Sequence, residues 1–187
     1  MGKINKLIDI LGSSFDGEIY KNADLSKLSY WGVGSTCKAL IKPNSIESLI
    51  KLIHICKSES ILYLVIGKTS NLLFSDSDLN GILIQLGDHF SYTDSLGDGR
   101  FRVGAANSVP WSVYSLGSRG WSGLEHCIGI PGSIGGLVYM NGGASRKSIG
   151  EVINNVTFLC LDDLVVKQFS HEECDFNYRS SIFQSKN

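Results

Sequence analysis

Hydrophobic positions in the first half of the chain follow helix and strand spacings that predict a small α/β unit. Apolar residues recur three and four positions apart over residues 3–11 and over residues 45–58, which predicts two amphipathic helices. An apolar segment at residues 39–41 predicts a short strand, whereas residues 12–36 are mixed and turn-rich. The continuous apolar run Ile61-Leu-Tyr-Leu-Val-Ile66 is typical of a strand buried on both faces. Strand, helix and strand in this order predict a βαβ unit.

The second half of the chain predicts an α+β unit with several short strands. Strands are expected at residues 82–86, 89–93, 101–105, 152–160 and 164–169. A helix is expected over residues 109–119, and Asp98-Gly99 and Asp162-Asp163 are typical of hairpin turns. The resulting division is an N-terminal helix and lead-in (1–27), a small α/β subdomain (28–86) and an α+β subdomain (87–187).

Composition indicates a folded protein and argues against several classes of partner. Of the 187 residues, 43% are hydrophobic and 19% charged, which is typical of a globular chain. Lys plus Arg is 17 and Asp plus Glu is 18, so there is no basic excess to bind nucleic acid or an acidic membrane surface. No apolar run approaches the ~20 residues of a membrane span. Five cysteines without a CxxC pair or a signal peptide favour free thiols in the cytoplasm.

Glycine is clustered, and the clustering suggests a ligand-binding backbone. The segment Gly129-Ile-Pro-Gly-Ser-Ile-Gly-Gly136 lacks four Cβ atoms, so its backbone N–H groups can approach a phosphate or diphosphate closely. A second island, Asn141-Gly-Gly-Ala144, follows it. Glycine clusters also serve tight turns and close packing, and that alternative stays open.

The loop Gly67-Lys-Thr-Ser-Asn71 follows the apolar strand, at the end where α/β folds bind nucleotides. Its Gly-Lys-Thr sequence suggests a phosphate-binding P-loop, but a P-loop needs glycine five residues before Gly67, where this chain has Leu62. The P-loop interpretation is therefore rejected. Ser70 and Asn71 can still donate hydrogen bonds to phosphate or carbonyl oxygens.

Three further candidates each have a structural alternative. His171-Glu-Glu-Cys174 resembles half a metal site, but no second pair of ligands exists and no metal is expected. Cys127 lies beside the glycine segment and is either a nucleophile or a core residue. Arg179 lies among aromatic and hydroxyl residues and either clamps a carboxylate or forms a surface salt bridge.

Five segments occur in a characteristic order along the chain. They are Ser29-Tyr-Trp-Gly-Val-Gly34, Val65-Ile-Gly-Lys-Thr-Ser-Asn-Leu-Leu-Phe74, Gly123-Leu-Glu125, the glycine segment 129–136 with Tyr139-Met-Asn-Gly-Gly-Ala144, and Phe176-Asn-Tyr-Arg-Ser-Ser-Ile-Phe183. Together they resemble the UDP-N-acetylenolpyruvoylglucosamine reductase family, which are FAD enzymes of peptidoglycan precursor synthesis. The resemblance covers residues 28–183, nearly the whole chain.

The resemblance implies an α+β fold, namely the two-lobed FAD-binding fold of the vanillyl-alcohol-oxidase type, with the flavin between a small α/β and a larger α+β subdomain. In the family, NADPH reduces the flavin, and the flavin passes hydride to an enolpyruvyl group that the arginine matching Arg179 binds and polarises. The residues implied to hold the cofactor are Gly67, Lys68, Thr69, Ser70, Asn71, Leu72, Gly129, Ile130, Pro131, Gly132, Ser133, Ile134, Gly135, Gly136, Asn141, Gly142, Gly143 and Ala144.

The chain also departs from the family pattern. Lys68 and Thr69 stand where the family loop is glycine-rich, Gly32 replaces a usual arginine and Ser35 a usual glycine. The family's substrate-binding domain, with a proton-donating serine and a late catalytic glutamate, has no counterpart before Asn187.

The first hypothesis is therefore an FAD-binding protein of this family that is weakly active or inactive alone. The second is a non-catalytic module that binds FAD or a nucleotide-sugar as an accessory or partner subunit. The third is a flavin site that has decayed through the replacements at Lys68 and Thr69. Expected partners are a small-molecule dinucleotide, a nucleotide-sugar, and a second copy or a partner subunit.

Overall fold

The computed structural model describes residues 2–185. The chain divides into two compact units, Met1–Ser91 (unit 1) and Tyr92–Asn187 (unit 2). Within the described residues no helix is long and apolar enough to cross a membrane.

Unit 1 is a four-stranded sheet with helices. Its elements are α1 (Lys3–Leu11), β1 (Gly17–Asp24), α2 (Leu25–Leu28), β2 (Thr36–Pro43), α3 (Ile46–Ser58), β3 (Tyr63–Ile66) and β4 (Leu79–Gln85). The strand order is β1-β2-β4-β3, with β1 antiparallel to β2 and the other neighbours parallel. The predicted βαβ unit is present, and β4 is inserted between its two strands. The helix predicted over residues 3–11 is confirmed.

The prediction that residues 61–66 form a strand buried on both faces is wrong. The strand β3 has only four residues and pairs only with β4, at the edge of the sheet. Leu62, Leu64 and Val65 are 62%, 47% and 45% exposed. The strand with a fully buried apolar run is β4, which lies between two neighbours, so an apolar run alone did not reveal which strand is central.

Strand β1 was not expected within the turn-rich residues 12–36. Its sequence, Gly-Glu-Ile-Tyr-Lys-Asn-Ala-Asp, carries few apolar residues because β1 pairs on one side only, and many of its side chains are exposed. The pairing with β2 runs from Gly17 opposite Pro43 to Asp24 opposite Thr36. Asp24 then caps α2, because its side chain accepts a hydrogen bond from the backbone N–H of Ser26.

A cluster of apolar residues in unit 1 supports the loop after β3. Leu25, Cys37, Leu40, Ile66 and Leu83 form its buried centre, and Leu28, Leu72 and Phe74 pack against them. Because Ile66 precedes the loop and Leu72 follows it, both ends of the loop are held by this core.

Over residues 92–185, unit 2 forms two two-stranded antiparallel sheets and two α-helices. The elements are β5 (Thr93–Gly97), β6 (Arg100–Val103), α4 (Val109–Gly117), α5 (Ile134–Tyr139), β7 (Asn155–Leu159) and β8 (Val166–Ser170). Strand β5 pairs antiparallel with β6, and β7 with β8. The turn predicted at Asp98-Gly99 joins β5 and β6. Buried residues of α4, α5 and the turns between them, including Val113, Cys127 and Val138, form the core.

The expected strand at residues 89–93 is wrong. Residues Asp88–Phe90 form a 3₁₀ turn in which Phe90 N–H bonds to Gly87 O at 3.1 Å and Ser91 N–H to Asp88 O at 2.8 Å. These bonds use backbone groups that a strand would offer to a neighbour, so β5 begins only at Thr93. For the same reason, the strand expected over residues 152–160 begins at Asn155, after a 3₁₀ turn at Ile149–Val152.

Candidate functional site

The loop that follows β3 in unit 1 carries a row of unpaired backbone donors. Within residues 2–185, the N–H groups of Gly67, Lys68, Thr69 and Asn71 have no hydrogen-bond partner. The loop is nevertheless held in place, because Gly67 O accepts from the Gln85 side chain at 2.7 Å and Thr69 O accepts from Leu72 N–H at 3.0 Å. Successive unpaired N–H groups of this kind are suited to bind an anion.

Thr69 takes the left-handed conformation within this loop, with φ of 58°, and only 3% of the residue is exposed. Its hydroxyl accepts from Tyr30 N–H at 2.9 Å and lies 3.0 Å from Leu28 O and 2.8 Å from Lys68 O. The side chain is therefore turned into unit 1, and the exposed residue of the Lys68-Thr69 pair is Lys68.

In unit 2, four backbone N–H groups of the 129–136 segment donate hydrogen bonds to other residues of the same unit. Ile130 donates to Cys127 O, Ile134 to Asn107 O, Gly135 to Ala105 O, and Gly136 to the Ser133 side chain. The N–H groups of Gly129, Gly132 and Ser133 have no partner in the described part of the chain. This loop thus also offers anion donors, though fewer than its glycine content suggested.

The glycines of this segment have different structural causes. A Cβ on Gly135 would lie 3.0 Å from the Ala105 side chain, so Gly135 permits α5 to pack closely. Gly132 has φ of 140°, which side chains rarely adopt. A Cβ on Gly129 would meet nothing within 4 Å, and Gly129 has no unusual φ. Neither crowding by neighbouring atoms nor backbone strain therefore explains why residue 129 is a glycine.

The second glycine island is explained by packing. Asn141 is 4% exposed, and its side chain donates to Asn177 O at 2.7 Å and accepts from Gly150 N–H at 3.0 Å. A Cβ on Gly142 would overlap the Leu137 side chain, and one on Gly143 would overlap the backbone of Lys147 and Ser148. Ala144 is exposed. The packing alternative thus accounts for the two glycines.

Arg179 lies against this island. It stands with Tyr178 at the tip of a tight hairpin closed by hydrogen bonds between Asn177 and Ser180. Its guanidinium donates to Gly143 O at 2.9 Å and lies 5.7 Å from the Tyr178 ring centre. No ion pair of Arg179 occurs among the described residues, so the surface salt-bridge alternative is not found. The remaining guanidinium N–H groups suit a carboxylate.

The cysteines are free thiols, and Cys127 belongs to the core. Burial raises the pKa of Cys127 to about 11 and that of Cys56 to about 12. A thiol must ionise to act as a nucleophile, so the core alternative holds for Cys127. No group of three metal-ligating side chains occurs within residues 2–185.

The sequence analysis missed Gln85 as a supporting residue, and it named Ser133 as a cofactor residue without foreseeing its role as a helix cap. Gln85 holds the carbonyl of Gly67, and Ser133 caps α5 by accepting from Gly136 N–H at 3.3 Å. The Ser133 cap has a sequence signal, since serine before a helix is a preferred cap. Gln85 has none, because its role depends on the register that sets it beside Ile66.

Comparison with known proteins decides the family. Residues 37–167 match the family model described as an FAD binding domain. The chain belongs to this FAD-binding family. It is 35% identical to a UDP-N-acetylenolpyruvoylglucosamine reductase of Bacillus velezensis, over 91% of the chain and 55% of the relative. With the reductase of Bacillus subtilis it shares 32% identity, over 98% of the chain and 60% of the relative.

Solved structures of FAD enzymes also resemble the fold of this chain. The Thermus caldophilus UDP-N-acetylenolpyruvylglucosamine reductase superposes with a TM-score of 0.71 at 29% identity, over 88% of this chain and 56% of that one. Cholesterol oxidase from Brevibacterium sterolicum superposes with a TM-score of 0.62 at 14% identity, over 86% and 33%, and indicates the fold alone.

These comparisons confirm the resemblance, the α+β class and the FAD-binding fold of the vanillyl-alcohol-oxidase type. Family membership gives FAD as the cofactor. The chain spans just over half the length of the curated relatives it matches, 55% of one and 60% of another.

Proposed function

We propose that this chain binds FAD through the unpaired backbone N–H groups of its two loops and forms the FAD-holding part of a UDP-N-acetylenolpyruvoylglucosamine reductase. The single observation that carries the proposal is the set of unpaired donors, four in the 67–71 loop and three in the 129–136 segment. Of the residues that carry these donors, Thr69 and Ser133 are buried and Gly67 and Gly132 are half-buried, and buried N–H groups without partners are rare in folded proteins. Phosphate oxygens would satisfy them.

The residues implied by the family fit the diphosphate of FAD to different degrees. Gly67, Lys68, Thr69 and Asn71 offer main-chain donors, and the exposed Lys68 adds a positive charge beside them. Gly129 leaves the space beyond its Cα open to a ligand. Asn141 and Gly143 hold the Arg179 hairpin and Gly142 packs against Leu137, so we assign these three residues a supporting role.

When bound, FAD supplies the hydride-transfer chemistry, and the protein supplies binding and orientation. We assign Arg179 to the carboxylate of an enolpyruvyl substrate, because its guanidinium keeps donors beyond the one used by Gly143 O. NADPH is the proposed reductant, and the cytoplasm the proposed location. Reduction of the enolpyruvyl group also needs a proton donor within about 3 Å of the substrate carbon. We assign no side chain to that step and therefore expect weak or no turnover from this chain alone.

An absorbance titration tests the proposal. The purified protein should bind added FAD with a shifted flavin spectrum, at a ratio of one FAD per chain, and NADPH under anaerobic conditions should bleach the bound flavin. Absence of FAD binding by the folded protein would refute the proposal.

The alternative proposal is a non-catalytic module that binds FAD or a nucleotide-sugar as an accessory or partner subunit. A bound flavin that NADPH does not bleach, with no turnover, would support this alternative. Rapid bleaching, followed by reoxidation on addition of the enolpyruvyl substrate, would support the enzyme.

A further inference from the structure

A threonine occupies a backbone position in the 67–71 loop that suits glycine. Thr69 has φ of 58°, where the side chain of a β-branched residue is strained and glycine is not. The loop sequence contains glycine at 67 but Lys and Thr at 68 and 69. Something in the structure must therefore hold Thr69 in this conformation.

The Thr69 hydroxyl provides that restraint. It accepts from Tyr30 N–H at 2.9 Å, and its single proton can be donated to Leu28 O at 3.0 Å or to Lys68 O at 2.8 Å. Leu28 and Tyr30 precede Thr69 by 41 and 39 positions, so the contact joins two distant parts of unit 1. Glycine at this position would make none of these bonds.

The restraint acts in the middle of the loop, between supports at its two ends. Gln85 holds Gly67 O at one end, and Leu72 packs on the unit 1 core at the other. Unpaired N–H groups lie on both sides of the Thr69 side chain, at Lys68 and at Asn71. Fixing Thr69 therefore fixes the directions in which these donors point.

We propose that the Thr69 side chain is a positioning group that holds the unpaired N–H groups of the 67–71 loop in the arrangement that binds the FAD diphosphate. This inference rests on the proposed function. A loop that is ordered before binding loses less conformational entropy when the ligand arrives, so the hydroxyl contact raises affinity without touching FAD. With threonine at this position the loop is held in one conformation, whereas glycine would leave it flexible.

Three variants separate the hydroxyl from the backbone conformation. Thr69→Val keeps the branched shape but removes the hydroxyl and leaves Tyr30 N–H unpaired. Thr69→Ser keeps the hydroxyl, and Thr69→Gly removes both the strain and the contact. We expect FAD to bind about 10-fold more weakly to Thr69→Val and about 3-fold or more weakly to Thr69→Gly. Binding to Thr69→Ser should stay within about 3-fold of the unsubstituted protein.

Hydrogen exchange of the FAD-free protein supplies a readout that does not depend on flavin. Thr69→Val and Thr69→Gly should speed exchange at residues 28–31 and 67–72, whereas Thr69→Ser should not. If the unsubstituted protein does not bind FAD, the proposed function fails, and the exchange data still report whether the hydroxyl orders the loop.

Two outcomes would overturn the positioning role. One is equal FAD affinity for Thr69→Val, Thr69→Gly and the unsubstituted protein, even where unfolding midpoints differ, since that indicates a purely structural residue. The other is failure of Thr69→Ser to retain affinity. If Thr69→Val does not fold, the comparison of Thr69→Gly with Thr69→Ser decides the question, because neither leaves a branched side chain in the strained conformation.

Discussion

Replacing Gly129 by valine should weaken FAD binding without destabilising the protein. A Cβ at this position would have no neighbour within 4 Å, and the backbone has no left-handed φ that valine would oppose. The substitution therefore adds bulk only on the open side of the chain, beside an N–H group that has no partner within residues 2–185. Any effect should fall on the ligand rather than on folding.

The magnitude follows from one lost hydrogen bond to a charged acceptor. A hydrogen bond between a neutral donor and an ionised group contributes about 1.5–3 kcal/mol. Since about 1.4 kcal/mol corresponds to a tenfold change in affinity, blocking the Gly129 N–H should raise the dissociation constant of FAD roughly 10- to 100-fold.

The assay is a fluorescence titration of FAD with each variant, together with chemical unfolding of the FAD-free protein. Gly117→Val is the matched control, because Gly117 also has open space around its Cβ position and an ordinary φ but ends α4 rather than the 129–136 segment. We expect Gly117→Val to bind FAD as the unsubstituted protein does. Equal affinity for Gly129→Val and Gly117→Val would show that the Gly129 N–H does not bind the cofactor, and the reasoning from unpaired donors would fail at this loop.

Three further predictions concern charge, pH and the support beneath Arg179. Lys68→Met should weaken FAD binding and flatten its salt dependence, whereas Lys51→Met on α3 should change neither. Asp163, hydrogen-bonded by Lys167, has its pKa lowered to about 2, so its stabilising effect is present above the unfolded pKa of about 3.9 and is lost as pH falls towards 2. Asp163→Asn should therefore lower the unfolding midpoint at pH 7, and the two midpoints should converge below about pH 2. Asn141→Ala should destabilise unit 2 by roughly 2–3 kcal/mol in urea unfolding, because two hydrogen-bonded partners lose their contacts; a change below about 0.5 kcal/mol would contradict this.

The glycine islands show what composition alone does not distinguish. In the sequence, residues 129–136 and 141–144 look alike, since each brings several Cβ-free positions together. In the structure, Gly142 and Gly143 are required by the atoms packed against them, and Gly129 is not. A missing Cβ has the same sequence signature whether a ligand or a neighbouring backbone occupies the space, and only the folded chain distinguishes the two.

Local periodicity and turn chemistry were sufficient to predict α1, α3, α4 and the turn at Asp98-Gly99, because each depends on residues a few positions apart. The order of the loop motifs was likewise sufficient to identify the family. The exposed edge position of β3, the existence of β1 and the pairing of each loop N–H group depend on partners far along the chain. The pairing of β4 with β2 and the Thr69 contact with Leu28 and Tyr30 are examples, since both join residues about 40 positions apart only when the sheet has formed. The sequence by itself therefore determined the family and which segments we propose to bind the cofactor, and the tertiary structure decided which backbone N–H groups of those segments have no partner among the described residues.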